Sequence, residues 1–453
     1  MKASKNVDLD MPRDLSNGLI LRRATESDMD ALSNFNAQIH SEEGPDKPDE
    51  RISAWTRDLI KKPHPTFNVG DFTIVEDTGI GEIVSSLNII SQTWVYEGIP
   101  FGVGRPELVG THPEYRNRGL VRAQFEVIHQ RSLERGEKVQ AITGIPYYYR
   151  QFGYEMCISL GGGRYGYNSH LPKLGEDEEE SCRVRPAGVD DLDFIDQLYR
   201  QSNEQRYLLY CQRDDVLWHH ELNGKSANNI NRSELRLIVV NDGERVGYLT
   251  HSPYIWGTHM VATAYEIKPG ISWAAVTPSV IRYLSKTGEN YANKDTVEAE
   301  CSGFGFRMGI EHPVYEVLQD TLPRVHKPYA WFVRLPDIAD FIQHITTALE
   351  KRLESSPYTG HTGELRLTFY RSGLKISFEG GQLTAAEPWQ PTPFGHSGDA
   401  AFPELSFLQL LFGYRSLDEL DYAFADCWTN NEQTAGILNV LFPKKVSNIW
   451  PIS

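Results

Sequence analysis

Hydrophobic residues along this chain follow two periods, and the change between them is sharpest near residue 112. Leu108 and Val109 lie in a run from Arg105 to Thr111 that predicts a strand. Beyond a loop marked by Pro113, Val121, Phe125 and Ile128 recur at the spacing of one helical face and predict a helix from Arg118 to Gly136. Lys138 then opens a further strand, which runs through Gln140 to Ile142 into a loop ending at Pro146. Upstream, Leu19 to Arg23 predicts a strand. Thr25-Glu26-Ser27-Asp28 supplies capping residue types before Met29, Leu32, Phe35 and Ile39, which share a helix face. A helix around Ile52 to Ile60 and strands near Asp71 to Glu76 and Glu82 to Thr93 lead into the central strand.

The pattern then restarts. Gly161-Gly162-Gly163 and the acidic run from Gly175 to Glu180 have the composition of an exposed connection. Just after it, Val184 to Ile195 aligns without gaps on Leu21 to Leu32. Arg185, Ala187, Asp191 and Asp193 fall on Arg22, Ala24, Asp28 and Asp30, which implies a duplicated unit. Strands at Glu234 to Asn241, Arg245 to His251 and Met260 to Ile267 fit the duplicate, and Thr277-Pro278 is expected to open the helix of Val280, Ile281 and Leu284. After Leu322-Pro323-Arg324 the character changes again. A strand from Trp331 to Leu335 precedes one amphipathic helix from Pro336 to Leu353. Leu365, Leu367 and Phe369, then Leu374, Ile376 and Phe378, alternate with polar residues as a hairpin does. Helices from Pro403 to Phe412 and from Ser416, where Ser416 and Glu419 match a capping box, close the chain. The expected domains are residues 1–175, 176–322 and 323–453.

Chemistry is expected in the loop between the central strand and its helix. N–H groups in the first turn of a helix lack intrahelical partners and share the positive end of the helix dipole, so an anion is well placed there. Arg116-Asn117-Arg118-Gly119-Leu120-Val121 puts two arginines and a glycine at that point. It resembles the acyl-CoA pyrophosphate loop of the GNAT acetyltransferases, whose pattern is Gln or Arg, two residues, Gly, one residue, then Gly or Ala; Val121 departs at the last place. Further on, Tyr149-Arg150-Gln151-Phe152-Gly153-Tyr154 is similar to the aromatic-Gly-aromatic exit of a short helix beside the CoA in that family. The duplicate has no matching loop between Glu266 and Trp273, so one acyl-CoA site per chain is expected. The last third resembles a sterol carrier protein-like domain, and the whole layout resembles the Eis (enhanced intracellular survival) family.

That resemblance implies an α+β chain: two tandem GNAT-fold domains, each a mixed central sheet with flanking helices, then a sterol carrier protein-like α+β domain. It implies acetyl-CoA as co-substrate, transfer of the acetyl group to a primary amine of an aminoglycoside, polyamine or lysine-like acceptor, and a homo-hexamer. The residues implied at the acyl-CoA site are Leu108, Val109, Gly110, Thr111, Arg116, Asn117, Arg118, Gly119, Leu120 and Val121. Tyr149 is implied as general acid, with Tyr148 next to it as the alternative. The α-carboxylate of Ser453 is implied as base, and Glu107 on the central strand stands in reserve.

Composition narrows the partners. A formal charge of −16 and an isoelectric point near 5.4 argue against nucleic acid or an anionic membrane and suit a cationic small molecule or peptide. Glu42 and Asp46, in the Pro-broken loop to Glu50, are either a solvated loop or a rim that draws in an ammonium group. Five cysteines without a C-x-x-C pair fit inert reduced thiols, and His219-His220 has no third ligand at metal spacing, so no metal is expected. With a polar stretch from Met1 to Asn17 and no apolar run of spanning length, a cytoplasmic protein is expected. The rival reading is a non-catalytic acyl-CoA-binding or lipid-binding scaffold.

Overall fold

The computed structural model describes residues 11–453 except 146, 241, 292–299, 393–396 and 404, so Pro146, Asn241, Glu404 and the first ten residues, all placed in predicted segments above, lie outside it. Three mixed sheets of nine, seven and five strands organise the described residues. The spine of the first is the hairpin Glu82–Tyr96 and Ile99–Thr111, paired antiparallel along almost its whole length. Leu87, Ile89, Ile90 and Trp94 are all fully buried, because this sheet is covered on both faces and simple alternation gives way to continuous burial. Ile74, Ile90 and Leu108 pack under the helices Met29–Ile39 and Glu50–Lys61, while Leu87 and Ile89 pack under Phe125 and Ile128 of the helix Leu120–Glu134.

The two aligned stretches form the same local structure. Arg22 grips Asp28 through both guanidinium NH groups at 2.8 and 2.7 Å, and the Thr25 N–H donates to the same carboxylate at 2.8 Å. Arg185 grips Asp191 at 2.7 and 3.0 Å, and the Gly188 N–H donates at 2.9 Å. In each case a strand is tied to the turn that starts the following helix.

Strands cross the divisions expected at residues 175 and 322. Gly163–Tyr167 and Arg324–His326 pair with each other in the second sheet. Leu209–Cys211 adds to Glu82–Tyr96 of the first, and Tyr329–Arg334 slots between Val139–Ile142 and Glu155–Leu160. The reason is backbone satisfaction. Val139–Ile142 is buried throughout, and its outer N–H and C=O groups need a partner that the first third of the chain does not supply.

Three helices also differ from expectation. The helix predicted at Thr277-Pro278 begins earlier, at Trp273, is capped by Ser272 and carries Pro278 inside it; burial of Val276, Val280, Ile281 and Leu284 outweighs one lost hydrogen bond. The single helix predicted from Pro336 is two, Ile338–His344 and Thr346–Glu354, although Phe341, Ile345 and Leu349 keep one buried stripe through the break. The helix predicted from Pro403 is confined to Phe407–Leu411. The five-stranded sheet packs its helices into a core continuous with Trp94 and Trp331 of the first sheet. The chain's last residues run into that junction, with Ile449 and Ile452 fully buried.

Candidate active site

Central strand Ile99–Thr111 runs parallel to Val139–Ile142, but the two pair only at Val103 with Val139 and Gly104 with Gln140. Beyond Gly104 the strand turns away. Leu108 has a left-handed φ of 50°, and Leu108 and Val109 together oppose the single residue Leu87, a β-bulge that re-aims the strand and leaves its edge unpaired. A groove of about 630 Å³ opens at this splay, lined by Val109, Gly110 and Thr111 on one side and Tyr148, Tyr149 and Phe152 on another.

The helix Leu120–Glu134 aims its N-terminus at the groove. Asn117 and Gly119 have φ of 62° and 79°, so the chain coils just before the first turn and exposes successive N–H groups, an arrangement suited to an anion. Gly119 is favoured there by its positive φ and not by lack of room, since among the described residues nothing lies within 4 Å of where its Cβ would stand. Arg116, Asn117, Gly119, Leu120 and Val121 line the groove with Arg122, whose guanidinium lies 5.1 Å over Phe152 and donates to Gln151 at 3.1 Å. Arg118 does not line it: the side chain folds over Tyr115 at 4.6 Å and donates to the Glu114 carbonyl at 2.9 Å. Leu108 also leaves the lining and joins the core under the first two helices.

Tyr149 sits in a one-turn helix, Tyr148–Phe152, entered through a left-handed Tyr147 and left through Gly153. Its ring is buried among Phe125, Tyr154 and Phe332, and Gly144 is held so close that a Cβ there would fall 1.8 Å from a ring carbon. The Gly144 carbonyl in turn accepts from the Tyr329 hydroxyl. Among the described residues, the Tyr149 hydroxyl has no hydrogen-bond partner, and it borders the groove. Burial, reinforced by Glu107 nearby, pushes its ionisation well above the usual phenol value, so it stays a proton donor. Tyr147 is exposed and Tyr148 half-buried.

Ser453 is buried at 3% exposure. The Ile452 carbonyl accepts from Arg105 Nη1 at 2.8 Å and Gln92 Nε2 at 3.0 Å, and the Ile449 carbonyl accepts from the Trp331 indole at 2.9 Å. Arg105 also donates through Nη2 to Glu107 Oε1 at 2.5 Å, so one buried guanidinium joins the chain end to the central strand beside the bulge. Thr143 donates to the same Glu107 oxygen at 3.3 Å. His220 Nε2 lies 3.3 Å from the Ser453 backbone oxygen, and the His64 ring packs 4.5 Å from the His220 ring. His64 Nδ1 accepts from the Thr66 N–H at 3.2 Å, which puts the proton of the neutral ring on Nε2, a buried atom with no hydrogen bond of ordinary geometry among the described residues, although the Ser453 backbone lies near enough to act on the ring. Burial, with His220 and Lys225 adding, pushes His64 down to about 3. Burial lowers His220 as well.

Most of the loop from Arg116 to Val121 and the segment around Tyr149 thus line one groove, whereas Ser453 is not among its lining residues; the chain end is joined through Arg105 to Glu107 on the central strand. Glu42 and Asp46 are exposed on the loop that follows Ile39 and His40, two residues of the groove wall. Arg105, His64 and Gln92 were missed. An arginine inside an apolar strand was the available signal for the first; nothing local marked the others. In the duplicate, the corresponding helix start is closed by the Ser272 cap and by Trp273, which packs on Tyr265 at 4.9 Å and His312 at 5.3 Å. Among the described residues no group of three His, Cys, Asp or Glu side chains is placed to hold a metal ion. Burial raises the Cys211 thiol to about 12 and the Cys427 thiol to about 11, which makes both poor nucleophiles. No helix among the described residues is long and apolar enough to cross a membrane.

Residues 21–157 match the family model described as the acetyltransferase (GNAT) domain, the segment that contains the groove, its loop and Tyr149. This domain makes the chain an acyltransferase. No curated protein sequence matches the chain. Solved structures extend the likeness in fold. A GCN5-related N-acetyltransferase from Anabaena variabilis aligns over 95% of this chain and 99% of its own, with a TM-score of 0.62 at 14% identity. A probable N-acyltransferase from Enterococcus faecalis aligns over 96% and 100%, at 0.63 and 13%. Eis1 from Mycobacterium abscessus aligns over 95% and 99%, at 0.56 and 14%.

Proposed function

We propose that this protein transfers the acetyl group of acetyl-CoA to a primary amine of a cationic acceptor. The observation that carries the proposal is a single groove bordered both by a glycine-coiled helix N-terminus flanked by Arg116 and Arg122 and by a buried tyrosine whose hydroxyl has no hydrogen-bond partner among the described residues. N–H groups from Asn117 to Val121 would receive the pyrophosphate, and the unpaired edge at Val109 to Thr111 would hold the pantetheine and the thioester. The neutral amine attacks the thioester carbonyl, a C–N bond forms and the C–S bond breaks. Tyr149 donates its proton to the departing thiolate: burial keeps the phenol protonated until that step, and the same desolvation raises the basicity of the sulfur toward that of the phenol.

The terminal carboxylate of Ser453 is our candidate to draw in the ammonium and take its proton. Glu107, already engaged by Arg105 in an ion pair, stands in reserve. Glu42 and Asp46 would serve at most as an outer acidic rim. We further take residues 1–175 as the catalytic GNAT domain, 176–322 as a degenerate copy and 323–453 as a sterol carrier protein-like domain, in a cytoplasmic hexamer; near-complete alignment with the N-acetyltransferase structures supports a chain of this layout.

The test is an acceptor screen. With acetyl-CoA and a panel of aminoglycosides, polyamines and lysine peptides, thiol release should depend on the acceptor, and the acceptor should gain one acetyl group. CoA binding without acceptor-dependent release across the panel would favour the non-catalytic acyl-CoA-binding reading.

A further inference from the structure

The second sheet contains a cavity of its own, separate from the acyl groove. Its volume is about 70 Å³, room for roughly five water molecules, and Tyr199, Tyr207, Trp218, Tyr248, Arg213 and Trp450 are among its walls. The charges around it do not balance. Glu221 receives Lys225 at 3.0 Å on both oxygens. Glu266 is paired with Arg206 and lies 3.5 Å from His312. Asp196, which holds the Trp218 indole N–H at 2.9 Å, is paired with Arg200. Arg213 is the remaining charge: among the described residues it has no ion pair and no hydrogen-bond acceptor, and its Nε is fully buried. Aromatic faces support it, Tyr199 at 4.9 Å and Trp218 at 5.2 Å, and Glu221, already held by Lys225, acts on it only from beyond ion-pair range.

A cation taken out of water without an anion is costly. One unmatched positive charge is best balanced by one negative charge, because a dianion would leave the cavity with the opposite excess. A guanidinium presents parallel N–H groups that a planar carboxylate meets in two hydrogen bonds, which a spherical ion cannot do. The aromatic walls suit an apolar remainder of a few atoms. We propose that this cavity is a binding site for a small monocarboxylate, held on Arg213.

The probe is propionate, titrated by calorimetry and thermal shift into the full-length protein in chloride-free buffer. Propionate should bind and raise the melting temperature, and propionamide, its neutral isostere, should bind at least tenfold more weakly. Arg213→Met should abolish the propionate response with acetyl-CoA binding unchanged, and Arg213→Lys, which keeps the charge without the fork, should weaken it about tenfold. Equal responses to propionate and propionamide would overturn the proposal on the wild-type protein alone, even if Arg213→Met fails to fold. Chloride or sulfate binding as tightly as propionate would overturn the carboxylate assignment, and an undiminished response in a folded Arg213→Met would remove Arg213 from it.

Discussion

Extending the chain past Ser453 tests the role given to its end without changing any side chain. Two added glycines carry the terminal carboxylate up to about 7 Å away. The buried tail should largely survive, because Arg105 and Gln92 grip the Ile452 carbonyl and Trp331 grips the Ile449 carbonyl, none of which the extension alters. The contact at risk is the one between His220 and the Ser453 oxygen, so the stability loss is expected at about 1–2 kcal/mol. Turnover should fall much more. Loss of a group that orients and deprotonates the amine is expected to cost about 10²-fold or more, about 3 kcal/mol of transition-state stabilisation. The assay is steady-state thiol release, with calorimetric acetyl-CoA affinity expected to stay within about threefold, since the extension alters none of the residues that line the groove. A folded extended protein with full turnover would refute the reasoning, and an inactive Glu107→Gln beside it would transfer the role to Glu107.

Other consequences are open to measurement. Tyr149→Phe should lower kcat by about 10²- to 10⁴-fold with little change in acetyl-CoA affinity, because a general acid acts in the transition state; retained turnover would move the role to Tyr148. His64 is held at about 3, below its ordinary 6.5, so between those pH values the unfolded chain binds a proton that the folded chain does not. Its contribution to stability is therefore complete above the unfolded value and is lost as pH falls toward the folded one, with a slope of up to about 1.4 kcal/mol per pH unit. Urea melts across that range should show a shallower slope in His64→Gln, and an identical slope would exclude this histidine as a source.

Much of this arrangement was legible in the residues, for a physical reason. The loop at Arg116 to Val121 takes its coil from its own residues Asn117 and Gly119, so a local pattern announces it, and Tyr149 is fixed by a turn that its neighbours Tyr147 and Gly153 build. The Arg185 and Asp191 match was visible because both ends of that ion pair lie within seven positions of one another. What the pattern could not show depends on distant partners. Tyr329–Arg334 is a continuous apolar run up to its last residue, as any buried strand could show, and only the open edges at Val139–Ile142 and Glu155–Leu160 decide which sheet it joins. His64 and His220 gain meaning only where the tail brings Ser453 to them. The break at Ile345 carries no glycine or proline and lies within a continuous buried stripe, so periodicity alone ran through it.

The central claim is that one groove, at the helix start after Gly119, receives the acyl donor. Calorimetric titration of acetyl-CoA into the wild-type protein and into Gly119→Asp tests it most directly. The substitution forces a side chain into a φ of 79° and sets a negative charge where pyrophosphate oxygens are expected to meet backbone N–H groups. One site per chain in the wild type and an affinity at least about tenfold weaker in a folded Gly119→Asp are the predicted results. Two equivalent sites per chain, or undiminished binding in the variant, would contradict the account.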